Sequence, residues 1–117
     1  MSNEFATKCR DRICRVFLDL GLEPPAFEWR EGDLKYLAGE FDREGRKYRI
    51  EIYDENVVMH EGKRYYECYM RGEFRSEEAL IEGFAVRLTR LLSGGPWEGH
   101  DETAVGRVWA YAKRIFN

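Results

Sequence analysis

The chain has no long apolar run, no excess of either charge and few histidines, and each lack removes a class of function. Its apolar stretches fall far below the ~18 residues of a membrane span. Lysine and arginine total 19 against 22 aspartates and glutamates, a net charge of -3. No basic field is present to draw in nucleic acid or an anionic membrane. Cysteine is scarce: Cys9, Cys14 and Cys68 are odd in number and lack the close spacing of a metal site. Only His60 and His100 could serve as imidazole bases or ligands. Gly94-Gly95 is followed by Pro96 rather than by lysine and a hydroxyl residue, so it reads as a helix stop and not as a phosphate loop. Repeats, low-complexity segments and internal linkers are also lacking.

What is there suits one folded domain spanning 1–117. The chain has 117 residues, of which 44% are hydrophobic and 15% aromatic, enough for a core and too apolar for disorder. Residues Met1 to Arg15 are polar and charged, which predicts no secretory leader and hence a cytoplasmic protein with reduced thiols.

Phe5, Cys9, Ile13, Val16, Phe17 and Leu20 recur at spacings of three and four, predicting an amphipathic helix over 4–20. Gly21 closes it, and Pro24-Pro25 keeps it from resuming. Three Glu-Gly pairs follow, at 31–32, 44–45 and 61–62, each between runs of strand-type residues. They predict an antiparallel meander with strands near 26–30, 34–42, 46–53, 57–60 and 64–71. A two-residue loop at Glu44-Gly45 sets Phe41 opposite Tyr48, Leu37 opposite Ile52, Asp42 opposite Lys47 and Glu40 opposite Arg49. Apolar then meets apolar and acid meets base at each rung. The same rule at Glu31-Gly32 sets Phe27 opposite Tyr36 and Trp29 opposite Leu34, on the face away from Leu37. That mismatch calls for a bulge, with Gly39 a candidate, or for a strand apolar on both faces. The last strand also carries large residues at both parities: Tyr65 and Tyr69 on one, Tyr66, Cys68 and Met70 on the other. Ser76 caps a helix whose core stripe is Leu80, Ile81, Phe84, Leu88, Leu91 and Leu92. A third helix is predicted over 101–116. The expected fold class is α+β: an N-terminal helix, an antiparallel four- or five-stranded meander and two C-terminal helices packed on the sheet.

The candidate chemistry is thin. The three cysteines sit where structural, buried thiols belong, and with so many carboxylates no catalytic pair stands out. Glu40, Asp42 and Glu51 lie among basic neighbours and read as a solvated ladder face. Neither a metal nor a cofactor is expected, and no catalytic residue is assigned. The residue types enriched at binding hot spots are abundant, with 7 Tyr and 3 Trp beside many arginines. The leading expectation is therefore a small protein-binding module of inhibitor, immunity-factor, adaptor or chaperone type, acting by stoichiometric binding or steric occlusion. Its anchors would be Tyr53, Tyr65, Tyr69 and Arg71 on the sheet, with Trp97 at the rim. The partner is another protein, and a second copy of the chain is one candidate cover for a sheet apolar on both faces. Gly83 and Gly106 face away from their helices' apolar stripes, which fits either close approach of a partner or unselected drift. Two alternatives stay open. One is a ligand-binding or enzymatic pocket between helices and sheet using Cys68, His60 and His100. The other is single-stranded nucleic acid stacked on the tyrosine face, although the negative charge disfavours it. The order of helix, meander and helices resembles compact binding proteins of the secretion-chaperone, toxin-immunity and inhibitor types at the level of architecture, which implies binding without chemistry.

Overall fold

The first helix, α1 (Glu4–Asp19), buries Phe5, Ala6, Cys9, Ile13, Val16 and Phe17 along one side. It closes where the Gly21 N–H donates to the Leu18 carbonyl at 3.0 Å and the Leu22 N–H to the Phe17 carbonyl at 2.8 Å. Leu20, placed in the stripe by its spacing, lies past the last helical turn and is 39% exposed. The computed structural model describes residues 4–69 and 74–95. After α1 come β1 (Glu28–Glu31), β2 (Lys35–Arg43), β3 (Arg46–Ile52), β4 (Asn56–Glu61), β5 (Arg64–Tyr69) and α2 (Glu77–Leu92). The chain is thus α+β, with one helix before and one after a five-stranded antiparallel sheet in chain order, the strands lying β1-β2-β3-β4-β5. The third helix expected over 101–116 lies outside the described residues.

The three Glu-Gly pairs are used in three different ways. Glu44-Gly45 is itself the loop between Arg43 and Arg46, and the register is the one expected: Phe41↔Tyr48, Leu37↔Ile52, Asp42↔Lys47 and Glu40↔Arg49. Both loop residues have positive φ, 54° and 78°, as a type I′ hairpin requires. At the first turn the expected pairing is corrected. Glu31 pairs with Lys35 around a three-residue loop, so Trp29 lies opposite Leu37 and joins its face. That extra residue removes the apparent mismatch without any bulge. Gly39 sits in a continuous ladder opposite Ile50. Its missing side chain makes room for Phe27, because a Cβ there would come within 2.9 Å of the ring. In the third hairpin the loop is Gly62-Lys63, between Glu61 and Arg64.

Alternation along the ladders places Leu37, Tyr48, Ile50, Ile52, Val57, Met59 and Cys68 on one face. All join one core cluster with the α1 stripe and with Leu80, Ile81, Phe84, Leu88 and Leu92 of α2. Burying each large aliphatic or aromatic side chain contributes about 1.5–3 kcal/mol, so this shared cluster is the main source of stability. Ser76 caps α2, its Oγ accepting from the Ala79 N–H at 3.1 Å. At the other end, Arg43 Nη2 donates to the Leu92 carbonyl at 2.5 Å. Gly83 has an internal explanation that replaces the partner reading: a Cβ there would come within 2.4 Å of the Phe74 ring. Gly106 lies outside the described residues. Both described helices cover one face of the sheet and leave the other free of helix among the described residues.

Candidate functional site

On the open face the side chains form rows across the strands. One row is Glu40, Arg49, His60 and Tyr65; the next is Ala38, Glu51, Val58 and Glu67. The row beyond carries Tyr36 and Tyr53, whose rings stack at 4.8 Å. Glu51 sits at the centre and is only 8% exposed, which corrects the expectation of a solvated ladder carboxylate. Neighbours on two strands satisfy it. His60 Nε2 lies 2.8 Å from Glu51 Oε1, and because a carboxylate only accepts, that nitrogen carries the proton. The Tyr53 hydroxyl donates to the same oxygen at 3.1 Å. Arg49 Nε stands 3.0 Å from Oε2. Its N–H is not directed along a hydrogen bond, so that contact is an ion pair alone.

The electrostatics follow from this packing. The His60 hydrogen bond, foremost, holds the Glu51 carboxyl below the usual carboxylate range against the opposing effect of burial. The charges of His60 and Arg49 and the Tyr53 hydroxyl add to that. Tyr53 responds in the other direction: burial first, then the neighbouring Glu51 charge, push its hydroxyl up to about 12. Beside the cluster, His60 packs on Tyr65 at 5.9 Å between ring centres. Lys47, Arg49, His60, Glu40 and Asp42 border an open depression of about 330 Å³. Asn56 Nδ2 donates to Glu67 Oε2 in the adjoining rows.

A carboxylate so saturated with donors is a poor base or nucleophile, but it fixes three large side chains in one geometry. The arrangement therefore presents an ordered aromatic and charged surface. Of the residues expected at the site, Tyr53 and Tyr65 are half-buried members of this face. Tyr69 is in β5, its backbone paired with Asn56. Arg71 and Trp97 lie outside the described residues. Glu51 and Tyr36 were not expected at this site, and His60 was expected only in a helix–sheet pocket with Cys68 and His100. The signal that could have found them is parity, since Glu51 and Tyr53 are two residues apart and His60 falls opposite Arg49 in the ladder.

The pocket alternative fares differently. Cys68 faces the helices and is buried, whereas His60 lies on the opposite face, so the sheet separates the two. His100 lies outside the described residues. Cys9 and Cys68 are both buried in the core, and burial, then the nearby Cys68, pushes the Cys9 thiol far above its ordinary range. Among the described residues no group of three or more His, Cys, Asp or Glu is placed to hold a metal ion, and no helix is long and apolar enough to cross a membrane. Neither a protein-family model, nor a curated protein, nor a solved structure matches the chain.

Proposed function

We propose that the chain is a small protein-binding module that acts by stoichiometric contact through the open face of its sheet. The observation that carries this reading is the buried Glu51 carboxylate, which ties Tyr53, His60 and Arg49 into one preorganised surface beside Tyr36 and Tyr65. Side chains already ordered lose little rotamer freedom when a partner docks, so their contacts translate more fully into affinity. Tyrosine and arginine at the centre of a face are the residue types that dominate interface energetics. Tyr53 and Tyr65 are the anchors, and Tyr69, Arg71 and Trp97 extend the contact surface in this reading. Cys9, Cys14 and Cys68 are free thiols, which suits a reducing, cytoplasmic setting.

Placing a photo-crosslinking phenylalanine analogue at Tyr65, with a control at Lys8 on the exposed side of α1, tests the surface directly. A partner captured only from position 65 is then titrated against Tyr53→Ala and Tyr65→Ala. Each substitution is expected to weaken binding at least about tenfold while the fold is retained. Equal labelling from both positions, or unchanged affinity in folded variants, would remove the open face from consideration.

A further inference from the structure

We propose that the free edge of β2 at Glu40 and Asp42 is a docking site for an extended peptide in which basic and apolar residues alternate. The hydrogen-bonding parity of the sheet makes this edge available. The Tyr53 N–H donates to the Asn56 carbonyl on the β4 side at 2.9 Å. Alternation then turns the backbone groups of Arg46, Tyr48, Ile50 and Ile52 towards β2. Their partners Arg43, Phe41, Gly39 and Leu37 are occupied by that ladder. The N–H and C=O groups of Tyr36, Ala38, Glu40 and Asp42 consequently point the other way. There β1 pairs only as far as Ala38. Continued in the β1 register, the preceding segment would set Ala26 opposite Glu40 and Pro24, which has no N–H to give, opposite Asp42, but β1 begins only at Glu28. Among the described residues Glu40 and Asp42 have no backbone partner on that side.

The space beside this edge is a cleft of about 450 Å³ lined by Phe17, Leu22, Pro24, Pro25, Phe41 and Leu92, within the range of ligand sites. A strand added to an open edge gains affinity from main-chain hydrogen bonds and specificity from alternate side chains. In register, a peptide residue opposite Phe41 points into the cleft, and its two neighbours point to the open face beside Glu40 and Asp42. The charge there selects the neighbours. Arg49 and Lys47 stand opposite Glu40 and Asp42 in the ladder without an ion pair to either, and Arg43 on the cleft donates to the Leu92 carbonyl. Glu40 reaches only Arg30, at 3.8 Å, and neither Asp42 nor Glu23 on the cleft rim has an ion-pair partner among the described residues. The fitting sequence is therefore basic–apolar–basic. The site borders the open face, where Glu40 shares a row with Arg49 and His60, but it rests on the backbone groups of the β2 edge and not on the Glu51 cluster.

The test titrates the full chain with a terminally blocked Thr-Lys-Ile-Lys-Thr peptide, followed by amide chemical shifts and hydrogen exchange. In the free chain the Glu40 and Asp42 amides exchange fast while Gly39 and Phe41 are protected. On binding, Glu40 and Asp42 gain protection and shift most. Methylating either peptide lysine N–H weakens binding about tenfold, whereas methylating the isoleucine N–H, which points away from β2, leaves it nearly unchanged. A Thr-Glu-Ile-Glu-Thr peptide binds at least about tenfold more weakly, and Asp42→Asn narrows that preference. Four results overturn the proposal: no binding at millimolar peptide, equal binding of both peptides, shifts centred on Tyr53 and Tyr65, or Glu40 and Asp42 amides already protected in the free chain. The last would mean that residues of the chain itself, or a second copy, already cover the edge.

Discussion

A buried carboxylate loses hydration that only strong partners can replace, and Glu51 replaces it with a ring N–H, a phenol and a guanidinium. Removing the charge leaves those three groups facing an acceptor that cannot satisfy them all. Glu51→Gln is therefore expected to cost about 1–3 kcal/mol in urea unfolding at neutral pH. The pH dependence has a definite sign. The folded-state pKa lies below the ordinary value of 4.5, so the carboxylate's contribution is complete above that value. It is lost as the pH falls below 4.5 towards the folded pKa. The gap in stability between the natural chain and Glu51→Gln should thus shrink on acidification to about pH 3. An equal gap at neutral and acid pH would show that Glu51 acts by shape and not by charge.

Each strand is positioned by contacts that a neighbouring segment creates, and Gly39 with Phe27 is the clearest pair. An alanine Cβ at 39 would meet the Phe27 ring at 2.9 to 3.1 Å across three of its atoms. Gly39→Ala should destabilise by about 1–3 kcal/mol through overpacking, and by much less when Phe27→Ala is already present. Additive losses in that double-mutant cycle would mean that strain lies in the β2 backbone instead. The same pair shows where the sequence stops being legible. The Glu44-Gly45 hairpin could be read because its two strands satisfy both polarity and charge in one register. The first hairpin could not, because nothing local distinguishes a two-residue loop at Glu31-Gly32 from the three-residue loop that ends at Leu34. Phe27 in turn settles against a glycine twelve residues away. On the open face, Tyr53 and Tyr65 were singled out by residue type, whereas Glu51 looked like any exposed strand acid. Arg49 and Tyr53 flank it at spacings of two, but His60 arrives from the neighbouring strand β4, and its placement depends on the register of the ladder. The β2 edge was equally hidden, since how many of its backbone groups are paired among the described residues depends on how far β1 extends.

At the scale of the molecule, the described residues form one layer of helix on one face of a meander, a single core with two kinds of surface. Every element from α1 to α2 except β1 contributes to the same buried cluster, so its members are expected to be lost together on unfolding. The cysteines report on this from two depths. Cys9 and Cys68 are fully buried in that cluster and Cys14 is half-buried beside it. The Cys9 thiol, raised far above its ordinary pKa chiefly by burial, is both inaccessible and protonated at neutral pH. Cys14 should therefore react with a maleimide in the native state, while Cys9 reacts only through opening of the core. Its protection factor should match the unfolding constant from denaturant melts, on the order of 10³ or more for a domain of ordinary stability. Phe84→Ala, which removes a fully buried ring, should accelerate Cys9 labelling by the factor that corresponds to its loss of about 3–5 kcal/mol and leave Cys14 unaffected. Cys9 labelling as fast as Cys14 in the natural chain would mean that α1 detaches from the sheet on its own. The helical layer would then be a mobile cover, and the open face could no longer be treated as one side of a rigid slab.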